Sequence, residues 1–152
     1  MIIVCFKIDE QRFALPVASV ERVIMAQTIT LIPDSPGILQ GVIDYYGDII
    51  AVINLRNRFH LPDRPIRLSD RFIITVMPGR KLALAVDEVE GVLDQTDEDA
   101  NHIIETDFGL TVASIQRDDK GIILIYDLEK LITSNESIEI KEIVKRAETS
   151  EV

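Results

Sequence analysis

The chain has 152 residues, 47% of them apolar, enough for one domain-sized core without a metal or disulfide staple. A formal net charge of -10 sets it against phosphate backbones and anionic lipid, so proteins are the expected partners, with neither nucleic acid nor direct membrane binding. Cys5 is the sole cysteine, which rules out an internal disulfide, and no apolar run approaches membrane-spanning length.

Met1 leads straight into Ile-Ile-Val, without the basic region, apolar stretch and cleavage site of a secretory signal, so a cytoplasmic location is expected. Apolar and β-branched residues then cluster at Ile2 to Ile8, where Cys5 reads as a core strand residue, and at Arg12 to Val17. Further clusters follow at Ile49 to Leu55, Arg71 to Met77, Lys81 to Val86 and Ile122 to Tyr126. Turn formers at Asp9-Glu10-Gln11, Pro78-Gly79-Arg80 and Asp118-Asp119-Lys120-Gly121 separate them at hairpin spacing, which predicts short antiparallel strands in a sandwich or barrel. Asp127 is placed to start a short helix through Ile132, its carboxylate near the exposed first-turn amides. After Thr133-Ser134-Asn135 a second helix is predicted, with Ile140, Ile143, Val144 and Ala147 on one stripe that docks on the barrel or meets a partner. The last five residues are polar and expected to be disordered.

The chain contains one unit twice. Phe13 to Val23 and Leu82 to Val92 share six identities in eleven positions at an offset of 69, and Ile49 to Arg56 matches Ile122 to Glu129 at an offset of 73, in the same order. A unit of about 60 residues is too small for a good core, so two half-barrels on a shared interface are expected, with a groove between them for a partner.

Phe6-x-Ile8-Asp9, Phe13-Ala14-Leu15-Pro16-Val17, Ile32-Pro33-x-x-Pro36, Gly41-Val42-Ile43, Gly47-Asp48-Ile49-Ile50 and Leu55-Arg56 together resemble the CheW family of chemotaxis coupling proteins. Leu84-Ala85-Val86-Asp87-Glu88-Val89-Glu90-Gly91-Val92 and Ile122 to Leu131 are similar to the family's later blocks, so the resemblance runs from about residue 2 to 132. It implies an all-β fold of two small five-stranded barrels related by the duplication, within a CheW-like domain spanning 1–132 whose halves (about 1–65 and 66–132) interleave. A helix and polar tail occupy 133–152. It also implies a non-enzymatic adaptor, without cofactor, that docks on the regulatory domain of a CheA-type histidine kinase and on the cytoplasmic tip of chemoreceptors.

Gly41 and Gly47 bracket a segment between two strands, where glycine permits positive φ or close backbone approach; the segment is an interface or a plain exposed turn. Tyr45 and Tyr46, adjacent on an extended segment, point to opposite faces, so one packs inward while the other is free for a partner. The family usually has Arg-Gly where this chain has Tyr46-Gly47, and an acid where it has Arg22. An aromatic cannot copy a bidentate arginine and a reversed charge penalises the old partner, so altered specificity is expected. Tyr45, Tyr46, Gly47 and Arg22 are therefore the candidate contacts, with Val86, Asp87 and Gly91 as further candidates in the second half and Val86 equally readable as core.

Other chemistry has little support. Asp94, Asp97, Glu98 and Asp99 lack the glycine and terminal glutamate of a helix-loop-helix calcium site and read as a solvated loop. His60 and His102 stand apart from each other and from Cys5, and no metal site is expected. Ser19 and Ser114 lack nucleophile-elbow glycines. Arg56 and Arg58 solubilise a strand end or face an acidic partner. The alternatives to a kinase adaptor are an interaction domain of the same fold outside chemotaxis, and a small-molecule-binding β-barrel, which needs a polar-lined internal cavity.

Overall fold

Hairpins form where the chain can turn through left-handed backbone: Asp9 (φ 53°), Gly79 (φ 81°) and Gly121 (φ 124°) stand at the turns between apolar runs. The computed structural model describes residues 1–95, 104–105 and 111–149, so Asp97, Glu98, Asp99, His102 and residues 150–152 lie outside the described residues. In chain order the strands are β1 (Ile2–Ile8), β2 (Gln11–Pro16), β3 (Val20–Met25), β4 (Leu39–Tyr45), β5 (Asp48–Ile53) and β6 (Arg71–Met77). There follow β7 (Arg80–Val86), β8 (Glu88–Asp94), β9 (Ile104–Glu105), β10 (Thr111–Asp118) and β11 (Gly121–Tyr126). A one-turn helix α1 (Leu55–Arg58) follows β5, and helix α2 (Ser134–Thr149) ends the described chain. No helix among the described residues is long and apolar enough to cross a membrane.

Two sheets form, ordered β8-β1-β2-β11-β10-β9 and β3-β6-β7-β5-β4. They are the same design built twice. The offset of 69 carries β1, β2 and β3 onto β6, β7 and β8, and the offset of 73 carries β4 and β5 onto β10 and β11. The parallel ladder with Leu124 opposite Phe13 repeats as Ala51 opposite Leu82, which is the same register in both sheets. The bulges repeat as well, leaving Glu21 unpaired on β3 and Glu90 unpaired on β8. The units exchange strands: β3 joins β6 and β7, while β8 joins β1 and β2.

The sheets curl, but among the described residues their hydrogen-bonded ladders do not close into complete barrels. The five-stranded sheet comes nearest, through a bridge between Thr30 and Val42. Gly41 makes this possible: a Cβ there would lie 2.4 Å from the Thr30 carbonyl oxygen, so only glycine lets the backbones meet. Gly41 is thus inside β4 at a register shift, where the sequence suggested the edge of an exposed segment.

The shared core lies between the sheets. Phe6, Ile8, Phe13 and Leu15 from one meet Ile53, Ile73, Leu82 and Leu84 from the other, all 1% exposed or less. Each such side chain contributes about 1.5–3 kcal/mol when fully buried. The interiors are filled with side chains: Phe72, Ile74 and Val52 in one, Ile3, Cys5 and Ile123 in the other. Burial raises the Cys5 thiol pKa, which keeps the sulfur in its unreactive protonated form.

At the C-terminus the short helix predicted from Asp127 is only a 3-10 turn over Leu128–Lys130, and the Asp127 side chain caps nothing. Its first bond runs from the Lys130 amide to the Asp127 carbonyl, so the tighter turn is closed by backbone. Helix α2 has a reciprocal cap: the Thr133 hydroxyl accepts from the Glu136 amide (3.1 Å) and the Glu136 carboxylate from the Thr133 amide (2.9 Å). Ile140 is fully buried and Ile143 and Val144 pack beside it, so the stripe docks on its own domain. Arg58 pairs with Glu136 and Arg80 donates to the Ser137 carbonyl, which fixes the first turn of α2. Arg58 therefore holds the helix, and neither solubilises a strand end nor meets a foreign acid.

Candidate functional site

The curl of the five-stranded sheet brings its two edge strands together at one corner. Tyr46 and Gly47 turn the chain between β4 and β5 with φ of 51° and 91°, the sign pattern of a type I′ hairpin, and Asp44 accepts from the Gly47 amide at 2.8 Å. The turn sends the tyrosines opposite ways: Tyr45 is 5% exposed and Tyr46 is 79% exposed. Their rings meet edge to face with centroids 4.9 Å apart.

Strand β3 supplies the other side. The bulge that frees Glu21 from pairing turns its carboxylate to the Tyr45 hydroxyl, which donates at 2.8 Å, and to the Lys81 ammonium at 2.8 Å. The Lys81 contact, then the Tyr45 bond, lowers the Glu21 pKa, while burial and that same bond raise the Tyr45 pKa. Arg22, next along β3, donates to the Tyr46 hydroxyl at 2.9 Å with its guanidinium 5.3 Å from the ring centroid. The result is an exposed ring and guanidinium held beside the buried Tyr45 and the partly exposed Glu21–Lys81 pair. Among the described residues no group of three His, Cys, Asp or Glu can hold a metal ion.

Four of the seven residues singled out in the sequence, Arg22, Tyr45, Tyr46 and Gly47, are thus brought together. The other three are elsewhere. Val86 is 1% exposed in the shared core, so its side chain is out of reach of a partner. Asp87 is an internal hub: its carboxylate accepts from Arg56 (2.7 Å to each oxygen), Arg64 (2.7 Å) and the Asp9 amide (2.7 Å). Arg56 is itself 8% exposed and also binds Asp9, so it too serves the interior. Gly91 lies on β8 opposite Cys5, at the position equivalent to Arg22 in the other sheet. Glu21 and Lys81 were missed, although the repeat held a signal: Glu21 aligns with Glu90, and Lys81 with Arg12.

That equivalent corner is built alike but ends differently. Arg12 binds Glu90 through Nε (2.9 Å), as Lys81 binds Glu21, but it also takes Asp118 through two terminal nitrogens (2.6 and 2.7 Å), so here the cation is the shared partner where the first corner has Glu21. Asp118 aligns with Tyr45, but Gly91 and Asp119 stand where the first corner has Arg22 and Tyr46. Only the first corner carries an exposed aromatic and cation.

Comparison with known proteins agrees with this architecture. The chain is 30% identical to the chemotaxis protein CheW of Thermotoga maritima, covering 92% of this chain and 91% of that protein. It is 29% identical to a probable chemotaxis protein CheW of Rhizobium etli, with 89% of each covered. The crystal structure of the scaffolding protein TtCheW from Thermoanaerobacter tengcongensis superposes with a TM-score of 0.74 at 30% identity, covering 89% of this chain and 94% of that one. The signature of the CheW-like domain matches residues 3–136, and the chain belongs to the CheW-like domain family.

Proposed function

We propose that this protein is a non-enzymatic chemotaxis adaptor of the cytoplasm that couples a CheA-type histidine kinase to chemoreceptors, with the Arg22–Tyr46 corner in contact with the regulatory domain of the kinase. The carrying observation is Tyr46: an aromatic ring 79% exposed at a hairpin tip, yet held by a guanidinium and a second ring. A fixed aromatic loses little conformational freedom on binding, which is why such residues anchor interfaces. Family membership supports a chemotaxis signalling protein as the partner.

The same corner supports a second reading, a changed partner preference. The family arginine expected at position 46 is absent, but Arg22 brings a guanidinium from β3 to the Tyr46 hydroxyl. Moving the cation and adding a ring alters which surface fits, so a kinase or receptor matched to this chain is favoured over a general one.

The test is a titration of the purified protein with the regulatory domain of a CheA-type kinase from its own organism, repeated with Tyr46→Ala and Tyr46→Arg. Micromolar or tighter binding, weakened at least about tenfold by Tyr46→Ala, is expected. Absence of binding to any such kinase would overturn the adaptor reading, and unchanged binding by both variants would remove Tyr46 from the contact.

A further inference from the structure

Beside the distal half of α2 lies a cleft of about 620 Å³, between the helix, the start of β5 and the β6–β7 hairpin. Ile49, Val76 and Met77 from the sheet and Val144 from the helix give it apolar walls, over a floor of the buried Ile50, Leu82 and Ile140. Its rim is cationic. Arg80, Lys141 and Lys145 stand there with Asp48 and Glu148 as the lining acids, while Lys81 is taken up by Glu21. Among the described residues Arg80, Lys141 and Lys145 form no ion pair, and Arg80 donates only to Ser137. Burial without a carboxylate lowers the Arg80 pKa. In a chain of net charge -10 this rim is a local exception.

We propose that the cleft is a docking groove for an acidic amphipathic helix of a partner protein, whose apolar side chains enter between α2 and the β6–β7 hairpin while its carboxylates meet Arg80, Lys141 and Lys145. From Ile140 to Glu148 the helical wall runs about 12 Å, the length of some two turns of a second helix. The trough faces solvent along one side, where Val76 is 45% exposed, which suits a helix lying in it better than a small ligand that must be enclosed. The cleft adjoins the Tyr46 corner through Asp48 and Lys81, but Tyr46 is not among its lining residues.

The test uses the full chain, labelled with ¹⁵N, and two synthetic helical peptides of about 14 residues, each with a leucine stripe and the remaining face either glutamate or lysine. The glutamate peptide is expected to shift the amide signals of Gly79, Ile140 and Val144 and to bind at least about tenfold tighter than the lysine peptide at low salt. The double variant Lys141→Glu/Lys145→Glu changes exposed positions only, and it is expected to lose that preference with an unchanged melting temperature. Equal affinity for the two peptides, shifts confined to Tyr46 and Gly47, or no shift up to about 1 mM peptide would overturn the proposal. So would dodecanoate filling the cleft while the glutamate peptide fails to bind. Failure here leaves the kinase titration untouched, and the reverse holds as well.

Discussion

Arg12 and Lys81 occupy the same place in the two copies of one unit, and each clamps the bulge glutamate of an edge strand donated by the other copy, Glu90 for Arg12 and Glu21 for Lys81. The clamp ties a central strand to an exchanged edge strand, so it acts where the interleaved design is weakest. The two clamps differ in burial: the Arg12 side chain is 11% exposed and the Lys81 side chain 36%.

Arg12→Ala is therefore expected to be the more damaging of the pair. It leaves Glu90 and Asp118 without their cation in a partly buried site, a loss of about 2 kcal/mol. Lys81→Ala is expected to cost clearly less, because its ion pair is partly solvated and screened. Urea midpoints for both variants at the same pH give the order directly.

Asp118 makes the acid limb of stability predictable. The Arg12 hydrogen bonds hold its pKa at about 2, against an ordinary 3.8. A carboxyl with a lowered folded-state pKa adds stability that is complete above its unfolded value and fades as pH falls through the folded one. The loss is thus expected between about pH 4 and pH 2. Asp118→Asn should lower stability near neutral pH and flatten the curve in that window. The flattening is partial, because Asp70 and Glu136 are also lowered and lose stability in the same direction. Thermal melts at half-unit steps would show it.

Arg22 and Tyr46 lie on the surface and touch little else, so Arg22→Ala, Tyr46→Ala and the double variant are expected to keep the wild-type melting temperature within a degree or two. Their effect belongs to binding. A double-mutant cycle on kinase affinity should give a coupling of about 0.5–1 kcal/mol, the scale of an exposed cation–ring contact. A coupling of zero would mean that the two side chains act independently.

Gly41→Ala is expected to be severe, about 2–4 kcal/mol or failure to fold, because the new methyl meets the Thr30 carbonyl oxygen, a backbone atom with little freedom to retreat. Gly47→Ala meets no neighbour and suffers only from its positive φ, so about 1 kcal/mol is expected. Equilibrium unfolding of both separates steric from conformational glycine.

Most strands buried on both faces were legible. β1, β2, β5, β6, β7 and β11 are dominated by apolar residues because one face meets the other sheet and the opposite face fills the curl. β4, also buried on both faces, was not named as a strand. Edge strands β3 and β8 were not named as strands, since Val-Glu-Arg-Val-Ile-Met and Glu-Val-Glu-Gly-Val-Leu-Asp are mostly solvated and their charges mask the period of two. The opposed tyrosines followed from backbone geometry, whereas Glu21 and Arg22 reach them only because opposite edges of the sheet curl together, a long-range fact with no local signature. The ion-pair cluster around Asp87 was not legible, because Arg64 comes from the connection after β5, beyond Arg56, where the repeat alignment ends.

The exchange of strands also sets the order in which the protein can be finished at the ribosome. β2 is complete at Pro16, but its parallel neighbour β11 begins only at Gly121, so at about 5–20 residues per second the first hairpin waits on the order of 5–20 s for its partner. Until β7 is complete at Val86 the apolar faces of β1 and β2 also lack the other sheet. Newly made chains of this protein are expected to depend on chaperone holding until the last strand emerges, and a stop codon after β7 should yield an aggregate rather than half a scaffold.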